Sequence, residues 1–273
     1  MERIKQAISK AKEGRPASGS RPTGSPKSAP QKRRKLAENE DIQYEHTQVV
    51  DLDTRHLEAH RIITFDNEDP DAVSFDILRT QVLSKMEENG WKTLAITSPT
   101  PECGKTVVSL NLAMSIAKQT DKTALVVDFD LKKPKVSDYM GLKMEKGLLD
   151  YLEKDTEIKD ILVNPSFPRL VLLPNRVPIR NSTETLTSRK VKNLVLDLKD
   201  RYEERIIIFD LPPLMAGDDA IAFMPQVDCV LLVVASNQTK PVEIKEARRQ
   251  LQSANLLGVV LNKSAEKQKR YYY

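Results

Sequence analysis

From Lys92 to Leu261 the chain alternates short runs of apolar, largely β-branched residues with longer segments whose apolar positions recur every three or four residues. The short runs are Lys92–Thr97 (KTLAIT), Thr123–Phe129 (TALVVDF), Arg169–Leu173 (RLVLL), Arg205–Phe209 (RIIIF), Cys229–Ala235 (CVLLVVA) and Leu257–Leu261. None shows the polar–apolar alternation of a half-solvated strand, so each predicts a strand covered on both faces. Helical spacing follows at Thr106–Gln119, from Gly147 to Leu152, around Ser188–Tyr202 and over Pro241–Asn255. This order predicts an α/β fold: a doubly wound, mostly parallel sheet with helices on both faces.

Upstream, Val73, Ile77, Val82 and Met86 recur at roughly helical intervals and predict a helix over Asp71–Glu88 that leads into the core. Met1–Gly14 carries a thin stripe of Ile4, Ile8 and Ala11, a short amphipathic helix that either docks on a partner or frays in solvent. Arg15–Ala37 is rich in Pro, Ser, Gly, Lys and Arg and ends in Lys32-Arg33-Arg34-Lys35, the composition of a disordered basic linker. Asp41–Asp69 mixes apolar pairs with charges and has no clear period. The expected organisation is a helix at 1–14, a disordered basic linker and irregular segment at 15–70, one α/β domain at 71–263 and a flexible tail at 264–273.

Composition narrows the function classes. Lys+Arg 43 against Asp+Glu 39 leaves a net charge of +4 over 273 residues, too small an excess to make nucleic acid the expected partner. Cys103 and Cys229 lack metal-ligand spacing and fit a reducing compartment. There is no apolar signal core and no run of about 18 apolar residues. The expected location is therefore cytoplasmic, with membrane contact only through a partner or weakly through the basic linker.

Candidate chemistry lies where the predicted strands end. After KTLAIT come Ser98-Pro99-Thr100-Pro101-Glu102-Cys103-Gly104-Lys105-Thr106 and an apolar helix, the strand–loop–helix order of a phosphate cradle. In such a cradle, backbone N–H groups and the helix N-terminus bind phosphate oxygens, which makes Pro101, Glu102, Cys103, Gly104, Lys105, Thr106 and Val107 candidate nucleotide-binding residues; Lys105 adds a cation and the Thr106 hydroxyl can ligate Mg²⁺. Two further strands end in Asp128-Phe129-Asp130 and in Asp210-Leu211-Pro212-Pro213. Carboxylates at the C-terminal ends of parallel strands face the ligand crevice, and Mg²⁺ prefers oxygen donors. Thr106, Asp128, Asp130 and Asp210 therefore form one candidate cluster, with Thr106, Asp130 and Asp210 as candidate metal ligands.

TSPTPECGKT, LVVDFDLKKP and IIIFDLPP, with the intervening GLLDYL and LLPNR and the closing LLGVVLNK, resemble the bacterial tyrosine autokinases of polysaccharide synthesis, the CpsD/CapB-type or BY-kinase group. That group lies within the deviant-Walker P-loop ATPases that include MinD and ParA, and the resemblance spans roughly Ala72–Lys263. It implies a P-loop tyrosine-kinase domain that uses ATP and Mg²⁺. Lys105 and Thr106 would hold phosphate and metal, Asp130 and Asp210 would support the metal, and Asp128 would orient or deprotonate the acceptor tyrosine. Asn262 would bond the adenine, and Tyr271, Tyr272 and Tyr273 would be phosphoacceptors modified by neighbouring subunits. It also implies a membrane-bound activator of the chain-length-determinant type and self-association.

The sequence departs from the group's pattern in three places. Glu102 stands where Gly is common, Lys132 replaces the usual Arg, and the ring-forming Glu-x-x-Arg-x-x-Arg motif maps to Val73, Asp76 and Arg79, of which only Arg79 matches. These departures predict weak ATP affinity and leave ring assembly open. Two other readings stay open at this point: a MinD- or ParA-like ATPase switch, although the early loop lysine of such proteins is missing, and a non-catalytic nucleotide-binding regulator of a polysaccharide export complex.

Overall fold

The computed structural model describes residues 48–66, 68–119, 122–154 and 156–265. The helix expected at Met1–Gly14, the Arg15–Ala37 linker and the candidate acceptors Tyr271–Tyr273 lie outside these residues.

One sheet of eight strands organises the fold: β1 (Gln48–Val49), β2 (Thr93–Thr97), β3 (Thr123–Asp128), β4 (Val163–Asn164), β5 (Leu170–Leu173), β6 (Arg205–Asp210), β7 (Cys229–Ala235) and β8 (Leu256–Asn262). Their spatial order is β1-β4-β5-β3-β6-β2-β7-β8. All neighbours run parallel except β4 and β5, which are antiparallel. The six predicted strands are all present, and the doubly wound parallel reading holds.

Every residue of β2, β3, β6 and β7 is buried, as their apolar central runs predict, and the polar residues at the ends of β2, β3 and β6 are buried with them. Successive side chains then supply two cores. Leu94, Ile96, Ala124, Val126, Ile206 and Ile208 point to one face; Ala95, Leu125, Val127, Ile207 and Phe209 point to the other. The first face is covered by α1 (Thr54–Ala59), α2 (Ala72–Glu88), α3 (Lys105–Gln119) and α4 (Val136–Met140). The second is covered by α5 (Leu148–Glu153), α6 (Ser182–Thr187), α7 (Arg189–Arg201), α8 (Asp219–Phe223) and α9 (Pro241–Gln250). Local signals set several starts: the Ser188 hydroxyl accepts from Val191 N at 3.2 Å to cap α7, and α9 opens on Pro241 with Glu243 accepting from Lys240 N at 2.8 Å.

The folded unit reaches further upstream than the pattern suggested. From residue 48 on, the segment expected to be irregular contributes β1 and α1, and Leu57, Ile62 and Thr64 are buried. Asn111 on α3 fastens it: Oδ1 accepts from Ile63 N, Thr64 N and the Thr64 hydroxyl, and Nδ2 donates to Arg61 O and Val107 O. A buried amide with all its donors and acceptors used stabilises the docking without an apolar period in the docked strip. That is why the strip carries no sequence signature. Helix α9 also ends at Gln250 rather than near Asn255, because the chain turns there to enter β8.

Candidate active site

Strands β2, β3 and β6 are neighbours in the sheet, so their C-terminal ends bring the three predicted segments together. Asp128 and Asp210 are direct cross-strand partners, and Ile96 lies opposite Asp210 on the other side. Behind them Phe129, Phe209 and Phe223 pack with ring centroids 5.0–5.3 Å apart, which fixes both strand ends.

The loop from Ser98 to Gly104 joins β2 to α3. Thr97 Oγ1 donates to Pro212 O at 2.7 Å, and Leu214 N donates to Ser98 O at 2.8 Å, so the loop is tied to the Asp-Leu-Pro-Pro turn. Glu102 and Gly104 adopt left-handed backbone angles, φ 64° and φ 87°. Glycine takes this conformation freely; a glutamate there stores on the order of 1–2 kcal/mol of strain. The Glu102 side chain is exposed to solvent. The first intrahelical bond of α3 is Val108 N to Gly104 O, so the N–H groups of Lys105, Thr106 and Val107 remain at the helix N-terminus without an intrahelical acceptor. This is an anion-binding arrangement.

Around it the charges are dense and buried. Lys105 Nζ lies 2.8 Å from Asp130 Oδ2 and 3.9 Å from Asp210 Oδ2. Thr106 Oγ1 donates to Asp210 Oδ2 at 2.6 Å, and Ser109 Oγ lies 3.1 Å from Asp210 Oδ1 and 3.0 Å from Lys105 O. Asp128 Oδ2 accepts from Lys135 N at 3.0 Å and Val136 N at 2.9 Å, the start of α4, while Oδ1 accepts from Asp130 N at 3.3 Å. Burial, followed by the nearby Asp210 charge, pushes the Asp128 carboxyl well above the usual range; the Val136 N–H only partly offsets this. Burial also raises Asp210, against the pull of Lys105 and the Thr106 hydroxyl. For Lys105 burial works against the charge, but Asp210 and Asp130 outweigh it and hold the ammonium more firmly protonated.

Lys105, Thr106, Asp128, Asp130 and Asp210 thus meet at one place. Cys103 is buried, with its thiol donating to Thr100 O at 3.2 Å; Pro101 is exposed and Val107 packs against the α3-side core. Asn262, at the end of β8, donates from Nδ2 to Cys103 O at 2.9 Å. Ser109 escaped the sequence reading, although it sits one helical turn beyond Thr106 on the same face. So did Asp219: Lys132 Nζ pairs with it, and the Ser182 and Thr183 hydroxyls donate to it at 2.6 Å and 2.7 Å. These partners come from segments 50 and 87 residues beyond Lys132, beyond the reach of spacing arguments. Arg79, the single match to the ring motif, is turned inward: it pairs with Asp76 at 2.8 Å and donates to Ser115 Oγ at 3.0 Å on α3.

The donor set fits Mg²⁺. Among the described residues no three His, Cys, Asp or Glu side chains form a metal-holding group. Mg²⁺ is commonly bound by one or two protein oxygens, with water and substrate phosphate completing its shell, rather than by a protein cage. The Thr106 hydroxyl and the Asp210 carboxylate, side by side at the phosphate cradle with Asp130 beyond Lys105, offer those oxygens.

The chain resembles known proteins over most of its α/β domain. The AAA_31 family, described as an AAA domain, matches residues 91–251. The tyrosine-protein kinase CpsD of Streptococcus agalactiae serotype Ia is 30% identical over 195 residues, 70% of this chain and 82% of that protein. EpsB of Ralstonia nicotianae is 32% identical over 208 residues, 76% of this chain but 27% of the length of that protein. Among solved structures, the kinase domain of the Escherichia coli tyrosine kinase ETK superposes with a TM-score of 0.69 at 28% identity, covering 78% of this chain and 84% of that one.

Proposed function

The chain belongs to this AAA-domain family and, within it, to the CpsD/CapB-type bacterial tyrosine-kinase group, and on that premise we propose that it is an ATP-dependent protein-tyrosine kinase. Its proposed acceptors are its own C-terminal Tyr271, Tyr272 and Tyr273. The observation that carries the reading is the buried meeting of Lys105 with Asp130 and Asp210 at the N-terminus of α3, beside the Thr106–Asp210 pair.

In this proposal the free N–H groups at the start of α3 bind the β- and γ-phosphate oxygens of ATP, and Lys105 exchanges Asp130 for those oxygens. Thr106 and Asp210, with Asp130, would hold Mg²⁺, which would supply positive charge to offset that of the phosphates. Asp128 orients the acceptor phenol and takes its proton. The phenolic oxygen bonds to the γ-phosphorus as the bond from phosphorus to the β–γ bridging oxygen breaks, and ADP leaves with that electron pair. Burial gives Asp128 a proton affinity above that of a solvated carboxylate, which suits a general base. Most of the rate gain comes from positioning and charge stabilisation rather than covalent help.

Relatives are tyrosine-protein kinases by name, and the sequence motifs resemble those of the polysaccharide-synthesis group, so the proposed setting is exopolysaccharide polymerisation and export. The proposed partners are a membrane-bound activator of the chain-length-determinant type and further copies of the chain, which phosphorylate one another. Among the described residues no helix is long and apolar enough to cross a membrane. Peripheral membrane association through the activator, on the cytoplasmic side, belongs to the same proposal.

The test is mass spectrometry of the protein after incubation with Mg²⁺-ATP, alone and with a candidate activator, beside Lys105→Met. Phosphate on Tyr271–Tyr273 that is lost in the variant is the expected result. Bound ATP with no phosphotyrosine in either condition selects the second reading, a non-catalytic nucleotide-binding regulator. The inward turn of Arg79 onto Ser115 favours that alternative, since it withdraws the one matching residue of the ring motif.

A further inference from the structure

The resemblance gives Asn262 to adenine, but its side chain is already engaged with the protein. Its Nδ2 donates to Cys103 O at 2.9 Å, and it lies so close over Gly104 that any Cβ there would collide with that nitrogen. The backbone behind it is fixed: Asn262 pairs with Ala235 across β7 and β8, and Ser236 N donates to Asn262 O at 2.8 Å. The turn that follows β7 also reaches Cys103. Thr239 Oγ1, which accepts from Ala235 N at 2.9 Å, lies 3.5 Å from the Cys103 thiol.

The contact falls between the two left-handed residues, Glu102 and Gly104, beside the strain stored at Glu102. A strained loop keeps its shape only if its surroundings over-determine it. We infer that Asn262 is a positioning residue for the phosphate loop: its amide, carried on the outermost strand β8, clamps the Cys103–Gly104 peptide and so holds the N–H groups that bind phosphate. This rests on the nucleotide-binding reading above and deepens it. The ligand class affected is any Mg²⁺-bound polyphosphate, whatever its base.

Cys103 is itself the reporter, because it is fully buried at the clamp, while Cys229, buried in β7 and with its thiol pushed up to about 12 by burial, serves as an internal reference. In the full chain without nucleotide, N-ethylmaleimide labelling followed by peptide mass spectrometry compares the parent with Asn262→Ala, Asn262→Asp and Asn262→Ser. Losing one hydrogen bond should speed Cys103 labelling about 5- to 10-fold in the Ala and Asp variants. The Ser variant, which keeps a short donor, should fall between them and the parent, and Cys229 should not change. Unchanged Cys103 labelling, or equal acceleration at both cysteines, overturns the clamp.

The second arm titrates Mg²⁺-ATP, Mg²⁺-GTP and Mg²⁺-tripolyphosphate. The clamp predicts that all three weaken by a similar factor, again about 5- to 10-fold. A loss confined to ATP makes Asn262 an adenine contact and overturns the proposal. A parent chain that binds no Mg²⁺-ATP sinks the kinase reading, while the labelling arm still decides the clamp.

Discussion

At the N-terminal end of the sheet, where β7 begins beside β2, Asp228 accepts from Lys92 N and Thr93 N, both at 2.9 Å, from the Thr93 hydroxyl at 2.8 Å and from Lys199 Nζ at 2.6 Å. Burial alone would raise its carboxyl, but the Lys199 ammonium and the other donors outweigh it and hold it below the usual range. At the C-terminal end, Asp128 and Asp210 face each other across β3 and β6, and both are raised. The same side chain serves two ends. One end saturates its charge and stabilises the fold; the other packs three carboxylates around a single lysine and leaves negative charge for a ligand cation to offset. The contrast sets a half-buried aspartate whose donors saturate its charge against two fully buried ones at the candidate site that share a single lysine.

The largest test of this contrast is catalytic. Asp210→Asn should lower the proposed tyrosine phosphorylation on the order of 10²–10³-fold, because it removes a charge from the proposed phosphoryl site. Asp228→Asn should leave the rate within about twofold. Phosphopeptide quantification under identical Mg²⁺-ATP conditions checks both, and equal losses would erase the distinction between the two ends.

Stability should show the reverse. Asp228→Ala leaves the Lys92 and Thr93 N–H groups and the Lys199 ammonium without their acceptor and should cost about 2–3 kcal/mol in urea unfolding. Its native carboxyl lies below the unfolded value of 3.8, so its contribution is present above that pH and is lost as pH falls through the native value.

Asp128→Asn sharpens the comparison with the opposite sign. The native group binds its proton more tightly than the unfolded one, so its ionisation costs stability as pH rises from 3.8 through the raised native value. Relative to the parent, the variant should therefore gain stability as pH rises through that native value, with the charge-dependent gain vanishing below about pH 4 and the lost Asp130 N–H bond a pH-independent offset. Paired unfolding curves across that window check it; a gain independent of pH would show that packing rather than charge is responsible.

The smallest effect belongs to Lys132→Met. Its side chain is 41% exposed, and Asp219 retains the Ser182 and Thr183 hydroxyls, so the loss should stay below about 1 kcal/mol. A larger loss would place this pair with Asp228 among the structural charges.

Much of the fold was legible because parallel strands covered on both faces leave unbroken apolar runs, as in Ile206–Phe209 and Val230–Val234. The phosphate loop and the three aspartates were legible for a related reason: strand ends are where a buried run must meet polar residues. Strands β1 and β4 and helix α1 were not, since two-residue strands and a six-residue helix are too short to carry a period. Ser109 was within reach of helical spacing. The Lys132–Asp219 pair was not, because its members are 87 residues apart.

By itself, then, the sequence determined the order of the six longer strands and the main helices between them, the position of the phosphate loop after β2 and the presence of acid at two strand ends. These are local matters of hydrophobic run length, backbone permissiveness at Gly104 and residue type. Only the tertiary structure decided that Asp128 and Asp210 are cross-strand partners, that Lys105 rests on Asp130, that Arg79 turns inward and that Asn262 closes over Gly104. Each of those depends on strand order and register, which bring together residues far apart along the chain, and on the electrostatics of burying them in one place.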